Sequence, residues 1–407
     1  MLLLFHTAEE AEPPQGQRFL SGRRKFLYIG IVVVLVLVAI EVGLKFMYSI
    51  QDKDPTPHQQ ATQITPYADL VWPQEYFAEE RSTKPLFVPY IMWRRQEFHG
   101  KHLNISPEGL RKTWNAPVAA DQAVKKVFCF GGSTTWGVGA RDDFTIPSLL
   151  SKKLNQGTAR YVVVNYGEKG YTLTQEVMQL VLLLKQGIIP DYVIFYDGIN
   201  EVMVGTKNNQ PGSIFGADTI RRQLFKRKKD SLWRKFNKEL GRTGISRGIR
   251  DLRDLVRSYT RKPKRFTPKE EKALDRLADD IVADYIKNVE VVKHLAQAYG
   301  FQYLFLWQPA LCTNQALTDE EKQLSAWTNR KMVKMYQLVY ERMARVKMPH
   351  FSNIATMFDQ KKKTLYFSWA HITEEGNEQV AQRIYKIFQR EFPSKISAQS
   401  KETPGRH

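Results

Sequence analysis

The feature that most constrains the fold is a series of short apolar segments that alternate with longer helical ones from residue 124 onward. The apolar segments predict strands at 124–130, 161–165, 192–196 and 301–307. The intervening segments predict helices at 145–154, 173–186, 269–299, 319–345 and 374–392. Strands that alternate with helices favour a parallel sheet with helices on both faces. We therefore expect an α/β fold, a three-layer αβα sandwich whose ligands bind beyond the carboxyl ends of the strands.

The composition is that of a basic, folded protein. Apolar residues make up 43% of the 407 residues, which excludes a disordered chain and a small disulfide-stapled scaffold. The net charge of +19 favours an anionic neighbour, such as nucleic acid, an anionic membrane surface or an acidic polymer. Cys129 and Cys312 form no Cys-x-x-Cys pair, so a zinc cage is excluded. One disulfide is conceivable, but two buried thiols fit better.

An uncharged segment near the N-terminus indicates a membrane. Residues 26–40 carry no charge, and the apolar run continues to about residue 47, which reaches the roughly 20 residues that cross a bilayer. A core helix and a cleaved signal peptide are the alternatives, but the run has no polar face and no convincing cleavage site follows it. Basic residues at 23–25 predict a cytoplasmic tail over 1–25 and a non-cytoplasmic location for the rest of the chain.

The remainder divides into segments of different composition. We expect a linker at 48–84, a strand-rich lead-in at 85–120, an α/β domain at 121–395 and a tail at 396–407. The α/β domain carries a basic insertion at about 206–268.

The charge of the chain is concentrated in this insertion. Residues 221–265 contain 18 Lys or Arg and 4 Asp or Glu, and apolar residues recur among them, which predicts one or two basic amphipathic helices. A solvated helical insertion is one interpretation, and a surface that lies on anionic headgroups near the anchor is the other. A specific nucleic-acid site is disfavoured, because no zinc-finger or RNA-binding motif accompanies the charge.

Four loops at predicted strand or helix ends carry candidate chemistry. They are VFCFGGSTTWGVG with Ser133, VNYGEKGYT with Gly170, YDGINE with Asn200, and SWAHITEEG with His371. The glycines before Ser133 allow a tight turn that exposes its hydroxyl, and His371 is a candidate general base. The N–H of Gly170 and the amide of Asn200 can donate to an oxyanion. Each loop could equally be an ordinary turn, and a lone His is more often structural.

Taken together and in this order, the four loops resemble the SGNH hydrolase superfamily, also called GDSL-type esterases. The resemblance covers about residues 85–392 apart from the insertion, and the lead-in is similar to that of membrane-anchored bacterial members. It implies that Ser133 attacks an acyl carbonyl while His371 takes its proton. It also implies an oxyanion hole from the N–H groups of Ser133 and Gly170 and the Asn200 amide, with no metal or cofactor required.

The sequence departs from the family at one position. The family has an Asp three residues before the His, where this chain has Ser368. In a serine protease, loss of that carboxylate lowers turnover roughly 10⁴-fold. Three explanations are open: a Ser–His dyad with Ser368 or a backbone carbonyl at Nδ1, a substitute acid such as Asp197, or lost catalysis with a retained pocket.

These observations predict a membrane-anchored serine esterase or O-acyltransferase that acts on an ester of a cell-envelope glycan or lipid. The alternative is a catalytically impaired binding or assembly protein on the same fold.

Overall fold

The computed structural model describes residues 22–51, 64–119, 122–224, 243–260, 266–326 and 329–393. The predicted tail at 396–407 and most of the predicted cytoplasmic tail lie outside these residues. The chain forms two compact units. One comprises residues 1–54 and 227–264, and the other comprises residues 55–226 and 265–407.

The elements are numbered in chain order. The strands are β1 (Pro85–Val88), β2 (Met92–Arg95), β3 (Phe98–His99), β4 (Asn104–Ile105), β5 (Val124–Gly131), β6 (Arg160–Asn165), β7 (Tyr192–Asp197), β8 (Gln302–Trp307) and β9 (Phe351–Asn353). The helices are α1 (Gly22–Gln51), α2 (Thr65–Ala68), α3 (Trp72–Ser82), α4 (Ser133–Trp136), α5 (Ile146–Leu154), α6 (Leu173–Lys185), α7 (Ile199–Asn208), α8 (Ala217–Leu224), α9 (Gly244–Thr260), α10 (Pro268–Tyr299), α11 (Asp319–Ala326), α12 (Arg330–Met343) and α13 (Glu374–Glu391).

The main sheet has five parallel strands in the order β6-β5-β7-β8-β9. The chain passes from β5 to β6 on one side and then to β7 on the other. The connections therefore diverge between β5 and β7, and the carboxyl ends of these two strands border the crevice where ligands of such sheets bind. The predicted parallel α/β sheet is confirmed.

Helices cover both faces of the sheet. Phe130, Phe195 and Phe305 stack across neighbouring strands and pack against α6, α7, α10 and α12. Val127 and Ile194 point the other way, toward α5 and α13. The alternation follows from the two-residue period of a strand, and strands buried on both faces are apolar throughout. The predicted three-layer sandwich is confirmed.

The predicted linker at 48–84 is wrong for its second half. Residues 52–63 lie outside the described part, but α2 and α3 fold within 64–82. Tyr76 and Phe77 are 0% and 1% exposed in a core that the lead-in and the loop after β5 complete. Glutamates at other positions of α3 make the segment polar on average. A prediction from composition therefore misses its apolar face.

Three further elements differ from the sequence prediction. The single helix expected at 319–345 is two helices, α11 and α12, with residues 327 and 328 outside the described part. Helix α7 begins where a loop was predicted, because Glu201 accepts the N–H of Gly198 and caps the new helix. Strand β9 was missed because its three residues are too few to show a period.

The smaller unit contains α1 and α9. Among the described residues, α1 is the one helix long and apolar enough to cross a membrane, with 22 residues at Phe26–Met47 and a mean hydropathy of 2.8. Helices α8 and α9 agree with the predicted helical insertion. Residues 225–242 and 261–265 of that insertion lie outside the described part.

Two carboxyl groups are buried together beneath the end of β7. Asp197 and Glu176 of α6 are 2% and 0% exposed, and their carboxyl groups lie next to each other. Two neighbouring carboxyl groups buried in this way do not both ionise, so one of them keeps its proton. Burial, and the negative charges that the groups place on each other, raise the pKa of Asp197 well above its ordinary value. Burial likewise raises the pKa of Glu176.

Replacement of Phe77 by Ala tests the folding of the segment before the lead-in. We expect Phe77→Ala to lower the free energy of unfolding by about 3–5 kcal/mol, because a fully buried ring leaves a cavity. Phe87→Ala is the matched control, since Phe87 is 68% exposed and should change stability little. Urea unfolding of the full chain in detergent measures both. Equal effects of the two variants would contradict the packing.

The buried carboxyl pair predicts how stability depends on pH. An unfolded carboxyl releases its proton near pH 4, whereas the folded pair keeps it. Unfolding therefore releases a proton, and stability falls as pH rises above about 4 until the raised pKa is passed. Asp197→Asn should flatten this fall, because an amide N–H can replace the shared proton. The test is to measure the melting temperature of wild type and Asp197→Asn as a function of pH. Asp143→Asn, at an exposed site, is the control. Parallel curves for wild type and Asp197→Asn would refute the assignment.

Candidate active site

Ser133 lies at the carboxyl end of β5, next to the point where the connections diverge. It is the first residue of α4 and follows two glycines. A Cβ at Gly131 would come within 2.1 Å of Oγ1 of Thr135, and one at Gly132 within 2.3 Å of Nδ2 of Asn200. Only glycine allows the turn to bring the serine and the amide this close.

His371 reaches the serine from the far end of the chain. It lies in the loop that precedes α13, and its Nε2 is 2.8 Å from Oγ of Ser133, although 238 residues separate them. This distance is that of a direct hydrogen bond and suits proton transfer between nucleophile and base. The structure therefore brings together the two side chains that the sequence analysis selected.

An ion pair ties the two loops together. Arg141 follows the nucleophile loop, and its Nε and Nη2 donate to Oε1 and Oε2 of Glu374 at 2.9 and 2.7 Å. The backbone N–H of Arg141 donates to the same carboxylate at 2.9 Å. The Tyr67 hydroxyl donates to the Gly139 carbonyl and accepts the Glu374 N–H. A two-point Arg–carboxylate contact fixes orientation as well as distance.

The aromatic ring of Phe367 supports the same junction. It stacks on the imidazole of His371, with ring centres 5.8 Å apart and planes 16° from parallel. Its edge also fills the space beside Gly139, where a Cβ would come within 2.1 Å of the ring. The imidazole is therefore held on one face by packing.

Ser368 occupies the position of the family's carboxylate at His371. Its Oγ is 2.8 Å from Nδ1, and it accepts the N–H groups of Ala370 and His371 at 3.3 and 3.0 Å. Both lone pairs of the hydroxyl are then engaged, so its proton is directed at Nδ1. This arrangement favours the tautomer with hydrogen on Nε2, which must change before His371 can accept a proton from Ser133.

Asp197, the substitute acid that the sequence analysis considered, lies elsewhere. Its carboxyl group lies beside that of Glu176 in the core, and the partner at Nδ1 of His371 is Ser368. Proximity in sequence to the end of β7 was misleading, because side chains alternate between the two faces of a strand.

The predicted oxyanion donors line one cavity with Ser133 and His371. Gly170 has a φ of +81°, which presents its backbone in a conformation that favours glycine. Nδ2 of Asn200 donates one proton to the Tyr171 carbonyl at 2.7 Å, which leaves its second proton for a ligand. Ser133, Gly170 and Asn200, which follow three different strands, therefore line the same cavity.

The cavity has a volume of about 640 Å³ and a largely apolar wall. Trp93, Met203, Phe215 and Trp369 are the large apolar side chains that line it. Their positions in the sequence do not mark them as cavity residues, except for Trp369, which lies two residues before the histidine. Trp93 lies in the lead-in and Phe215 lies at the start of the insertion. No sequence pattern at either position predicts that its side chain lines the cavity.

Buried charges position the loop that carries Gly170. Arg95 donates to Glu168 at 3.2 Å, and Lys169 forms an ion pair with Glu80 of α3. Burial raises the pKa of Glu168 and lowers the pKa of Lys169. Arg94 is 4% exposed and donates to the Tyr166 and Gly167 carbonyls. The lead-in thus fixes the oxyanion loop from outside the sheet.

Among the described residues, no group of three or more His, Cys, Asp or Glu side chains could hold a metal ion. Cys129 and Cys312 are both unpaired, and Cys129 is buried.

Several solved structures are similar to this chain at low sequence identity. One is a lipolytic protein of the G-D-S-L family from Veillonella parvula, with 12% identity, a TM-score of 0.37, and coverage of 66% of this chain and 100% of that one. Another is a carbohydrate acetylesterase family member from Sinorhizobium meliloti, with 17% identity, a TM-score of 0.33, and coverage of 66% and 100%. A third is the psychrotrophic esterase EstA from Pseudoalteromonas, with 11% identity, a TM-score of 0.35, and coverage of 66% and 100%.

None of the curated protein sequences matches the chain significantly. The sequence profile of the family described as GDSL-like Lipase/Acylhydrolase matches residues 127–384, which is more than half of the chain and includes Ser133 and His371. The chain belongs to the GDSL-like lipase/acylhydrolase family.

Proposed function

We propose that this protein is a serine hydrolase of carboxylic esters that works through an acyl intermediate on Ser133. The observation that supports it most directly is the 2.8 Å hydrogen bond between Oγ of Ser133 and Nε2 of His371. A serine hydroxyl is a weak nucleophile until a base within this distance accepts its proton.

In the acylation step, Oγ of Ser133 forms a bond to the ester carbonyl carbon, and its proton passes to Nε2 of His371. The carbonyl oxygen becomes an oxyanion that accepts hydrogen bonds from the N–H groups of Ser133 and Gly170 and from Nδ2 of Asn200. Loss of one such donor typically costs 10²–10³-fold in turnover. The carbon–oxygen bond to the alcohol then breaks, and the imidazolium returns its proton to the leaving oxygen.

The acceptor of the acyl group in the deacylation step distinguishes two activities. Water that attacks the acyl-Ser133 carbonyl, with His371 as base, completes an ester hydrolysis. A hydroxyl of a second substrate in the same position completes an O-acyl transfer. Both pathways use the same residues, and we propose hydrolysis as the primary activity with transfer as its variant.

The substrate we propose is an ester of a cell-envelope glycan or lipid. The apolar cavity suits the acyl part, because apolar surface buried there gains roughly 25 cal/mol for each Å². Residues 26–47 would anchor the protein as a single-pass membrane protein, with residues 1–25 in the cytoplasm and the hydrolase domain on the other side. Such an anchor keeps the site close to esters of the envelope.

A second candidate function is favoured by Ser368. Its hydroxyl supplies no negative charge to stabilise an imidazolium, and its bonds favour the resting tautomer that cannot accept a proton. A protein with this feature could hold an acylated glycan or lipid in the cavity without cleaving it.

A serine-directed fluorophosphonate probe tests the nucleophile. We expect wild-type protein to be labelled, Ser133→Ala to lose the label, and His371→Ala to be labelled more slowly by roughly 10²-fold or more. Ser82→Ala, at an exposed serine bonded to the Ala78 carbonyl, is the matched control and should be labelled normally. Folded wild-type protein that resists the probe would favour the binding function.

Restoring the carboxylate tests whether Ser368 limits turnover. The N–H groups of Ala370 and His371 already point at this position and would stabilise a negative charge there. We expect Ser368→Asp to raise ester turnover by on the order of 10²-fold or more, because its charge stabilises the imidazolium. The acidic limb of the pH–rate profile should move to higher pH, because the carboxylate raises the pKa of His371.

Ser368→Asn is the matched control for this experiment, since it adds bulk and polarity without charge. If the increase in ester turnover is due to the carboxylate charge, Ser368→Asn does not reproduce it. If Ser368→Asp, Ser368→Asn and wild type are all inactive toward a panel of aryl and acyl esters, the binding function is favoured.

A further inference from the structure

The first helix and the basic insertion meet at a defined junction. The carboxylate of Glu41 in α1 accepts the N–H groups of Gly244 and Ile245, at 2.8 and 3.0 Å, and so caps the first turn of α9. The helices are in close contact here, because a Cβ at Gly244 would come within 2.9 Å of Cβ of Leu44. Both helices belong to the same compact unit.

The junction lies at one end of the apolar part of α1. Within residues 26–47, Glu41 and Lys45 are the charged residues, and both are in the last two turns. Lys45 pairs with Glu41 at 3.3 Å, and its side chain is 64% exposed while that of Glu41 is 18% exposed. A carboxylate near the end of a membrane-spanning helix needs hydrogen-bond donors, and the first turn of α9 supplies two. Helix α9 therefore begins beside the charged end of the apolar segment of α1.

Helix α9 has two chemically different sides. Ile245, Ile249 and Leu252 are spaced by four and three residues and so share one side of the helix. Ile249 and Leu252 are 64% and 62% exposed, whereas Ile245, next to the junction with α1, is half-buried. At 100° per residue, Arg247 and Arg250 lie on the opposite side.

We propose that α9 lies along the surface of the membrane that α1 crosses, with the Ile245–Leu252 stripe among the acyl chains and its arginines at the phosphates. The occupant of the stripe is an anionic phospholipid leaflet. A basic amphipathic helix attached to the end of a membrane-spanning helix meets both the apolar layer and the negative surface. The local excess of 14 positive charges in residues 221–265 complements that surface.

The same junction bears on processing of the N-terminus. A protease that removed the apolar segment as a signal peptide would also remove Glu41 and expose the packed backbone at Gly244. On this proposal helix α1 stays in the mature protein and is not removed as a signal peptide, because α9 depends on the Glu41 cap. The inference rests on the proposed membrane anchor and is independent of the hydrolase chemistry.

Site-specific labels on the full chain in nanodiscs test the orientation of α9. Ile249→Cys and Leu252→Cys would each be coupled to an environment-sensitive fluorophore, with Asp251→Cys on the polar side as the matched control. Burial raises the pKa of both native thiols to about 12, so they react slowly at neutral pH. Nanodiscs of phosphatidylcholine with phosphatidylglycerol would be compared with phosphatidylcholine alone.

We expect blue-shifted emission and quenching by lipids spin-labelled in the acyl chain at 249 and 252, but not at 251. Both effects should weaken without phosphatidylglycerol. Equal exposure of the three labels to water in anionic nanodiscs would overturn the proposal, as would equal quenching of all three.

A Glu41→Ala variant separates the docking of α9 from the anchor. The substitution makes α1 more apolar, so the chain should stay in membranes through alkaline extraction while the label at 252 loses its quenching. If wild-type chain is extracted by alkali, the anchor itself is refuted. If the anchor holds but the label at 252 is unaffected by Glu41→Ala, the junction does not position α9. A purified mature chain whose intact mass lacks the apolar segment would overturn the retention of α1.

Discussion

The hydrogen bond between Ser133 and His371 depends on how firmly two distant loops are held against each other. One loop follows the first strand of the sheet, and the other precedes the last helix. The Arg141–Glu374 pair and the Tyr67 hydroxyl bridge the loops from outside the sheet, while Phe367 fills the space between them. These contacts hold the two side chains at hydrogen-bond distance, and a misplacement of about 1 Å at such a site can cost roughly 10²-fold in rate.

The segments that precede the sheet hold the loops of the site in place as well as stabilising the fold. Helix α3 closes a core against the nucleophile loop, and the buried guanidinium of Arg111 donates to the Gly137 and Ala140 carbonyls of that loop at 2.6 Å each. On the other side, Arg94 holds the carbonyls of the oxyanion loop. Backbone carbonyls that turn away from a sheet need donors, and buried arginines supply several from one side chain. The sheet positions the strand ends, and this outer layer holds the loops in place.

Ser368 shows how little separates a catalytic site from a binding site on this fold. The position, the distance to Nδ1 and the two backbone donors are those that a carboxylate would use, and the charge alone is missing. The orientation of the His371 imidazole therefore does not depend on a negative charge at residue 368. The imidazole is oriented by packing and by a hydroxyl, whereas stabilisation of an imidazolium needs a negative charge that a hydroxyl does not provide.

Much of this protein could be predicted from local patterns. The two-residue period of the buried strands, the helices between them and the apolar length of α1 are properties of neighbouring residues, so the sequence by itself determined the layered α/β sheet and a helix long enough to span a membrane. Ser133, Gly170, Asn200 and His371 were selected because the four loops that carry them resemble, in order, those of a known family; each loop alone is an ordinary turn. Only the tertiary structure decided that residues 64–82 belong to the core, that Asp197 pairs with Glu176 instead of His371, that Trp93 and Phe215 form a wall of the cavity, and that Glu41 caps α9. Each of these is a contact between segments far apart in the chain, and periodicity within a segment carries no information about which distant surface will cover it.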